Sequence, residues 1–300
     1  GVFDIIPDKT KATAEANHCT ACTSIEQLLE LVDAVSIVVP TEVHHQETLR
    51  ALRAGKHVLV EKPIAATVAE AEEMTKLAEE LRLKLQVGHI ERFNPATSAF
   101  ALLKETPRFI EGHRLSQFSA RGLGVAVILE LMIHDIDLIL SLVPAPVQEV
   151  RASAVSVVSD MPDIANARIE FANGTVANLT ASRISVQKMR KLRFFAKDNY
   201  LSVDMLKKSG EHFVLAPLAE AQPREGYFPM LQHEPTGRRI LFRQLSYADY
   251  DMLTAEIAAF VDAVRNDRPV RIGGREGTAA LALAKQIEAA ALESLNRIRT

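Results

Sequence analysis

No apolar run in the chain approaches the ~18–20 residues that a bilayer-spanning helix needs, and the first residues lack a signal-peptide layout. Charge of one sign is also missing. The formal net charge is −3 over 300 residues, which leaves no strong field to attract nucleic acid or acidic lipid. Cysteine is scarce: Cys19 and Cys22 are the two in the sequence. Their C-x-x-C spacing beside His18 suits a redox pair or half of a zinc set. No second pair completes the set, and the segment reads more simply as a polar approach to a helix. Two cysteines in so long a chain point to a reducing compartment, hence the cytoplasm. Neither a nucleic-acid partner nor a membrane is expected. The dinucleotide fingerprint G-x-G-x-x-G is absent as well. Gly122-x-Gly124 comes nearest, but no strand-to-helix turn surrounds it.

The composition is that of a globular protein, 48% hydrophobic and 24% charged. Its length exceeds one core of about 100–200 residues and suits two domains. A break in pattern divides them into 1–92 and 93–300.

Residues 1–92 alternate strand with helix. Val35–Val39, His57–Val60 and Leu83–Val87 are short apolar runs without clean alternation, as in a parallel sheet covered on both faces. Ser24 with Gln27, and Thr67 with Glu70, mark helix starts as capping-box pairs. Between Val68 and Leu81 the residues Ala71, Met74, Leu77, Ala78 and Leu81 recur at three and four, one buried helix face. His44–Ala54 is a further helix, ended by Gly55. Strands joined by helices of this length form right-handed βαβ units.

Such sheets bind ligands beyond the carboxyl ends of their strands. That singles out Asp4-Ile5-Ile6, Pro40-Thr41-Glu42 and Glu61-Lys62-Pro63. Asp4 ends the expected strand Gly1-Val2-Phe3, where an acid can accept hydrogen bonds from both adenosine ribose hydroxyls. Ile5 and Ile6 offer nothing to neutralise a 2′-phosphate, so NAD is favoured over NADP. The plainer alternative makes Asp4 a helix or turn cap for Pro7-Asp8. If Asp4 has the ribose role, the fingerprint belongs about 20 residues earlier. The first strand and glycine loop are therefore expected upstream of residue 1.

Residues 93–300 change character. Strands are expected at Phe109–Phe118, 147–158, Ile164–Phe171 and Thr175–Ala181, the last two joined by the hairpin signal Asn173-Gly174. Ile164, Asn166, Arg168 and Glu170 alternate with Ala165, Ala167, Ile169 and Phe171, one wet face and one covered. A second hairpin joins Leu192–Ala196 to Tyr200–Val203. Helices return at Tyr247–Val264 and Gly277–Asn296. The fold class is thus a Rossmann-type α/β parallel-sheet domain followed by an α+β domain with an open, mostly antiparallel sheet.

One helix, Ala126–Leu142, carries Glu130, His134, Asp135 and Asp137 among apolar residues. Glu130 and His134 stand four apart on one face, so the carboxylate can orient the imidazole. A partly buried histidine locking helix to sheet is the plainer reading. With a single histidine at this spacing, no metal is expected. The basic stretch Lys188, Arg190, Lys191, Arg193 reads as the solvent face of a strand or a local anion contact.

Three segments together resemble the glucose–fructose oxidoreductase / inositol dehydrogenase family: Val38-Val39-Pro40-Thr41-x-x-His44, Ala54-Gly55-Lys56-His57-Val58-Leu59-Val60-Glu61-Lys62-Pro63, and Glu130…His134-Asp135-x-Asp137. The match runs over nearly the whole chain in the same order and spacing. Val87-Gly88-His89-Ile90-Glu91-Arg92-Phe93-Asn94-Pro95 resembles more narrowly members that oxidise the 3-hydroxyl of UDP-N-acetylhexosamines. The resemblance implies NAD as cofactor and a nucleotide-sugar substrate. It also implies homodimers or homotetramers formed through the antiparallel sheet. By position it implies Lys62 near the reacting hydroxyl, His134 as general base, and Glu130 where many members have aspartate. Pro40, Thr41 and His44 fall along the cofactor, with Glu61 and Pro63 setting the lysine. His89, Glu91, Arg92, Asn94 and Asp135 fall on the substrate side. An inositol or simple-sugar dehydrogenase, or a silent NAD-binding protein on the same fold, remain open alternatives.

Overall fold

A computed structural model describes residues 1–119, 124–218 and 225–299; Gly122 of the rejected glycine pair lies outside them. Contacts divide the chain into two compact units. One comprises Gly1–His89 with Glu256–Thr278, the other Ile90–Ala255 with Ala279–Thr300.

In the first unit the expected strand at Gly1-Val2-Phe3 is a single parallel bridge, Val2 to Ala21. A helix, α1 (Pro7–Asn17), starts at Pro7-Asp8, where the sequence leaves helix or turn open, with proline in its first turn. There follow α2 (Ile25–Leu31), β1 (Ala34–Ile37), α3 (His44–Arg53), β2 (His57–Glu61), α4 (Val68–Glu80) and β3 (Leu85–Gly88). β2 lies between β1 and β3 and pairs parallel to both. Val58, Leu59 and Val60 are buried on both sides of it, which is why the run does not alternate. Each such side chain contributes roughly 1.5–3 kcal/mol through burial.

The Thr67–Glu70 box forms as expected. The Ser24 box forms by half: Ser24 caps the Gln27 amide, while the Gln27 side chain accepts from Thr23 instead. On α4 the buried stripe narrows to Ala71, Met74 and Ala78, and Leu81 at the C-cap is exposed. The later segment adds to β3, since the Val87 amide donates to the Ile272 carbonyl at 2.9 Å.

The second unit contains β4 (Phe109–Leu115), a π-helical turn (Ile128–Met132) leading into α5 (Ile133–Leu142), then β5 (Val147–Val155), β6 (Ile164–Phe171), β7 (Val176–Ser182), β8 (Met189–Ala196), β9 (Asn199–Asp204), β10 (Ser209–Pro217), β11 (Phe228–His233) and β12 (Arg238–Ser246). The strands form one sheet in the order β11-β12-β10-β9-β8-β4-β7-β6-β5. Neighbours are antiparallel except β4 and β7. Helices α6 (Met252–Arg265) and α7 (Gly274–Arg299) carry the chain into the first unit and back.

The alternation on β6 holds: Ala165, Ala167, Ile169 and Phe171 are buried, and their neighbours are not. Gly174 takes a φ of 82° in the hairpin turn, a backbone that side chains with a Cβ seldom adopt. Strands β10 to β12 were not apparent in the sequence, where β11 carries Pro229 and a register shift before Leu231.

One row crosses six strands in register. Phe109 faces Phe195, which faces Tyr200, then Phe213, Phe242 and Phe228. Ring centroids from Phe109 to Phe242 lie 4.8–5.8 Å apart, within the range of favourable aromatic pairs. Phe195 and Phe228 are exposed.

Candidate active site

In the first unit the predicted loops sit at the carboxyl ends of β1 and β2. His44 opens α3 and is buried. Its Nδ1 lies 2.9 Å from the Pro63 carbonyl oxygen and its Nε2 2.9 Å from that of Val39. The ring thus joins the loop after β1 to the loop after β2. Pro40 is exposed and Thr41 half-buried between these anchors.

Glu61 ends β2 and accepts from the Lys62 amide through Oε2 at 3.2 Å. The Lys62–Pro63 peptide is cis. Gly88 makes room for Glu61: a Cβ there would lie 3.2 Å from the Oε2 atom and 3.3 Å from the Glu61 Cα. Asp4 is half-buried, and its Oδ1 accepts from the Ile6 amide at 2.9 Å, just before α1, whose N-cap Ile6 has no side-chain cap. Ile5, Val38 and Val39 are exposed around these strand ends.

Sequence reasoning missed Glu256, which belongs to the first unit and is buried. Burial, and then the charge of Glu61, push its carboxyl up to about 7. Gln86 Nε2 lies 3.5 Å from the Glu256 carbonyl oxygen. A signal existed: Glu256, Phe260 and Ala263 share the buried stripe of α6 at helical spacing.

In the second unit, Glu91, Asn94 and Asp135 are buried in one polar network. Arg114 of β4 donates to Glu91 Oε1 at 2.9 Å and twice to Asp135 Oδ1, at 2.7 and 3.1 Å. Arg190 adds a bond to the same Glu91 oxygen at 3.0 Å, and Asn94 donates to Glu91 Oε2 at 3.1 Å. Burial opposes the Arg114 charge, but Asp135 and Glu91 outweigh it and hold the guanidinium above its ordinary range. Burial likewise works to raise Glu91, and Arg114, Arg190 and Asn94 bring it below the ordinary value. For Asp135 burial prevails over Arg114 and raises the carboxyl.

Arg92 donates to both oxygens of Asp137. Four of the residues expected on the substrate side thus have protein partners, as a framework for α5. His89 is buried at the end of the first unit. Within the basic stretch, Arg190 falls on the same face of β8 as the buried Leu192 and Phe194 and pairs with Glu91, with its side chain 42% exposed.

The π turn holds Glu130, and the Ile133 amide reaches back to the Ile128 carbonyl. Single π turns of this kind often occur at functional positions. Arg183, also missed from the sequence, donates to Glu130 Oε2 at 3.0 Å. His134 stands at the second residue of α5.

A groove of about 390 Å³ in the first unit, lined by Thr75, Lys84, Gly274 and Arg275 among others, contains none of the predicted residues. Among the described residues no group of three or more His, Cys, Asp or Glu could hold a metal, and no helix is long and apolar enough to cross a membrane. Both cysteines are free.

A family model described as the oxidoreductase family with an NAD-binding Rossmann fold matches residues 1–89. The model of the GFO/IDH/MocA C-terminal domain matches residues 98–201. A UDP-N-acetylglucosamine 3-dehydrogenase of Acidithiobacillus ferrooxidans is 37% identical over 99% of this chain and 91% of its own. The chain belongs to the Gfo/Idh/MocA oxidoreductase family. A solved structure of the Acidithiobacillus enzyme superposes with a TM-score of 0.87, covering 98% of this chain and 90% of that one. The scyllo-inositol 2-dehydrogenase (NAD(+)) of Bacillus subtilis is 25% identical over 67% of this chain and 66% of its own. An NAD-binding protein from Listeria innocua, 22% identical, shares the fold at a TM-score of 0.78 over 98% of this chain and 90% of that one. This Gfo/Idh/MocA member therefore has the expected parallel NAD-binding domain and mostly antiparallel sheet.

Proposed function

We propose that the protein oxidises a ring secondary hydroxyl of a nucleotide sugar, the 3-hydroxyl of a UDP-N-acetylhexosamine, with NAD as acceptor. The observation that carries this reading is the nearly full-length identity to the Acidithiobacillus 3-dehydrogenase. The domains take residues 1–92 for the cofactor and 93–300 for substrate and assembly, with Glu256–Thr278 supporting the cofactor domain. The two free cysteines suit the cytoplasm.

The first unit fits a dinucleotide. Asp4 offers a half-buried carboxylate at a strand end, the next residue is an exposed isoleucine, and Val38 and Val39 present apolar surface. Asp4, Pro40 and Thr41 would hold NAD, with His44, Glu61 and Pro63 fixing the two loops. When bound, the cofactor supplies the hydride acceptor.

His134 takes the hydroxyl proton as general base, a role that contributes about 10²–10⁴-fold. Lys62 stabilises the negative charge that develops on the oxygen. Glu130 orients the base and the hydroxyl. Arg92, Glu91, Asn94 and Asp135 hold α5, and His89 completes the linker between the domains. Two copies associate through the open sheet face, where the aromatic row from Phe109 to Phe228 supplies apolar area.

The test is product analysis. Purified protein with NAD and UDP-N-acetylglucosamine should yield NADH and a nucleotide sugar lighter by two hydrogens. Free N-acetylglucosamine and inositols should react far more slowly. Preference for an inositol would overturn the substrate assignment.

A further inference from the structure

Arg183, next after the last residue of β7, uses every hydrogen it can donate. It is 3% exposed. Its Nε donates to Asp163 Oδ1 at 2.8 Å. One Nη donates to the Val125 carbonyl at 2.7 Å and to Glu130 Oε2 at 3.0 Å. The other donates to Ser159 Oγ at 3.2 Å and to the Pro162 carbonyl at 3.3 Å. A guanidinium has five N–H groups in a rigid fork, so the set is full.

Asp163 is saturated in turn. Its Oδ2 accepts from the amides of Val157, Val158 and Ser159, and its Oδ1 from the Ser159 hydroxyl and Arg183. Burial works to raise this carboxyl, but the amides, Arg183 and Ser159 outweigh it and hold it well below the ordinary range. Asp163 therefore balances the arginine's charge permanently. Of the three charged groups, Glu130 alone reaches the surface appreciably, with its side chain 30% exposed against 3% and 0%.

A single nitrogen of Arg183 thus grips the chain twice, at Val125 before the π turn and at Glu130 within it. A π turn is an uncommon conformation that neighbouring structure must maintain. Lysine keeps the charge, but its three donors on one atom cannot reproduce the fork.

We propose that Arg183 is a positioning residue for the oxidation, acting through Glu130 and fixing its carboxylate one turn before His134. This rests on the reading of Glu130 and His134 given above.

The experiment is a double-mutant cycle on Arg183→Lys and Glu130→Gln, measured on whichever alcohol the wild-type protein oxidises. Arg183→Lys should lower kcat about 10–100-fold, the scale of a misplaced catalytic group. Its KM for NAD should stay within about twofold of wild type, because uniform binding is untouched. The double variant should be no slower than Glu130→Gln alone, within about twofold. Ser159→Ala removes one acceptor of the fork and should lower kcat in the same direction by about 2–5-fold, which covers a failure of Arg183→Lys to fold. Wild-type kcat in folded Arg183→Lys, or in Ser159→Ala if Arg183→Lys does not fold, overturns the proposal. So does a double variant that loses the product of the two single factors. Failure of the functional reading looks different: Glu130→Gln and His134→Asn would themselves turn over normally.

Discussion

Arg92 grips Asp137 with two nitrogens, Nε at 2.6 Å from Oδ2 and Nη2 at 2.9 Å from Oδ1, and Nη2 also reaches the Asp137 carbonyl at 3.2 Å. Asp137 is buried on α5. The pair fastens the segment entering the second unit to the helix that carries His134. Bidentate geometry of this kind is lost with lysine. Arg92→Lys should therefore destabilise the protein by about 1–3 kcal/mol, read as a lower Tm. Asp137→Asn should do likewise, and the double variant should cost less than the sum. Additive losses would show that the two side chains do not act as a pair.

His134→Asn should lower turnover by at least ~100-fold while NAD still binds, because it removes the proposed general base and leaves the first unit untouched. Near-normal turnover in a folded variant would sink the assignment. Lys62→Met removes a charge while nearly keeping length, and should cost about 10²-fold or more in kcat. Steady-state rates together with NAD titration separate these losses from failed binding.

Glu256 makes stability depend on pH in a defined direction. Its folded carboxyl titrates at about 7, above the ordinary 4.5, because of burial and then Glu61. A raised value means the folded state holds the proton more tightly than the unfolded chain. That contribution is complete below about 4.5 and is lost as pH rises through about 7. Glu256→Gln carries no such proton, so its stability relative to wild type should improve by on the order of 1–3 kcal/mol between pH 5 and pH 8. Melting curves at the two pH values check this, and a pH-independent difference would overturn it.

The aromatic row predicts where self-association fails. If two copies associate through this face as proposed, Phe195→Glu or Phe228→Glu places a charge on it and should yield monomer, seen by light scattering after size exclusion. Phe228 is 68% exposed, so Phe228→Glu should change monomer stability by little more than the roughly 0.5 kcal/mol typical of exposed sites. Phe195→Glu should cost more, since it also loses ring contacts with Phe109 and Tyr200. A variant of unchanged mass would remove this face from the interface.

Legibility in the sequence followed the range of the interaction. The caps of α2 and α4, the hairpin at Asn173-Gly174 and the alternation of β6 depend on residues within a few positions of one another. They could be read directly. Arg114 and Arg183 could not, because their partners Glu91 and Asp163 stand 23 and 20 residues away. For Glu256 the helical spacing with Phe260 and Ala263 marks burial but not the nearness of Glu61. The family resemblance of Val87–Pro95 points Glu91 and Asn94 to the substrate side. A resemblance in sequence carries no sign of their shared buried network with Arg114, which only the fold brings beside them. The π turn escaped too, since Ala126–Leu129 and Leu131–Ile133 around Glu130 are uniformly apolar and mark no helical register that an extra residue would shift.

The single parallel pairing in the large sheet has a consequence for how the chain assembles. β5 to β7 and β8 to β10 are runs of sequence-adjacent antiparallel strands that close over short loops. β4 precedes both, yet lies between them, with Phe109 opposite Val176 on one side and Phe195 on the other. The early strand therefore waits for partners made much later, and its closure carries the long-range entropy cost of the whole sheet. Two meanders would form quickly and be joined by one late insertion. Amides of β4 should then be among the last to gain protection in a refolding pulse.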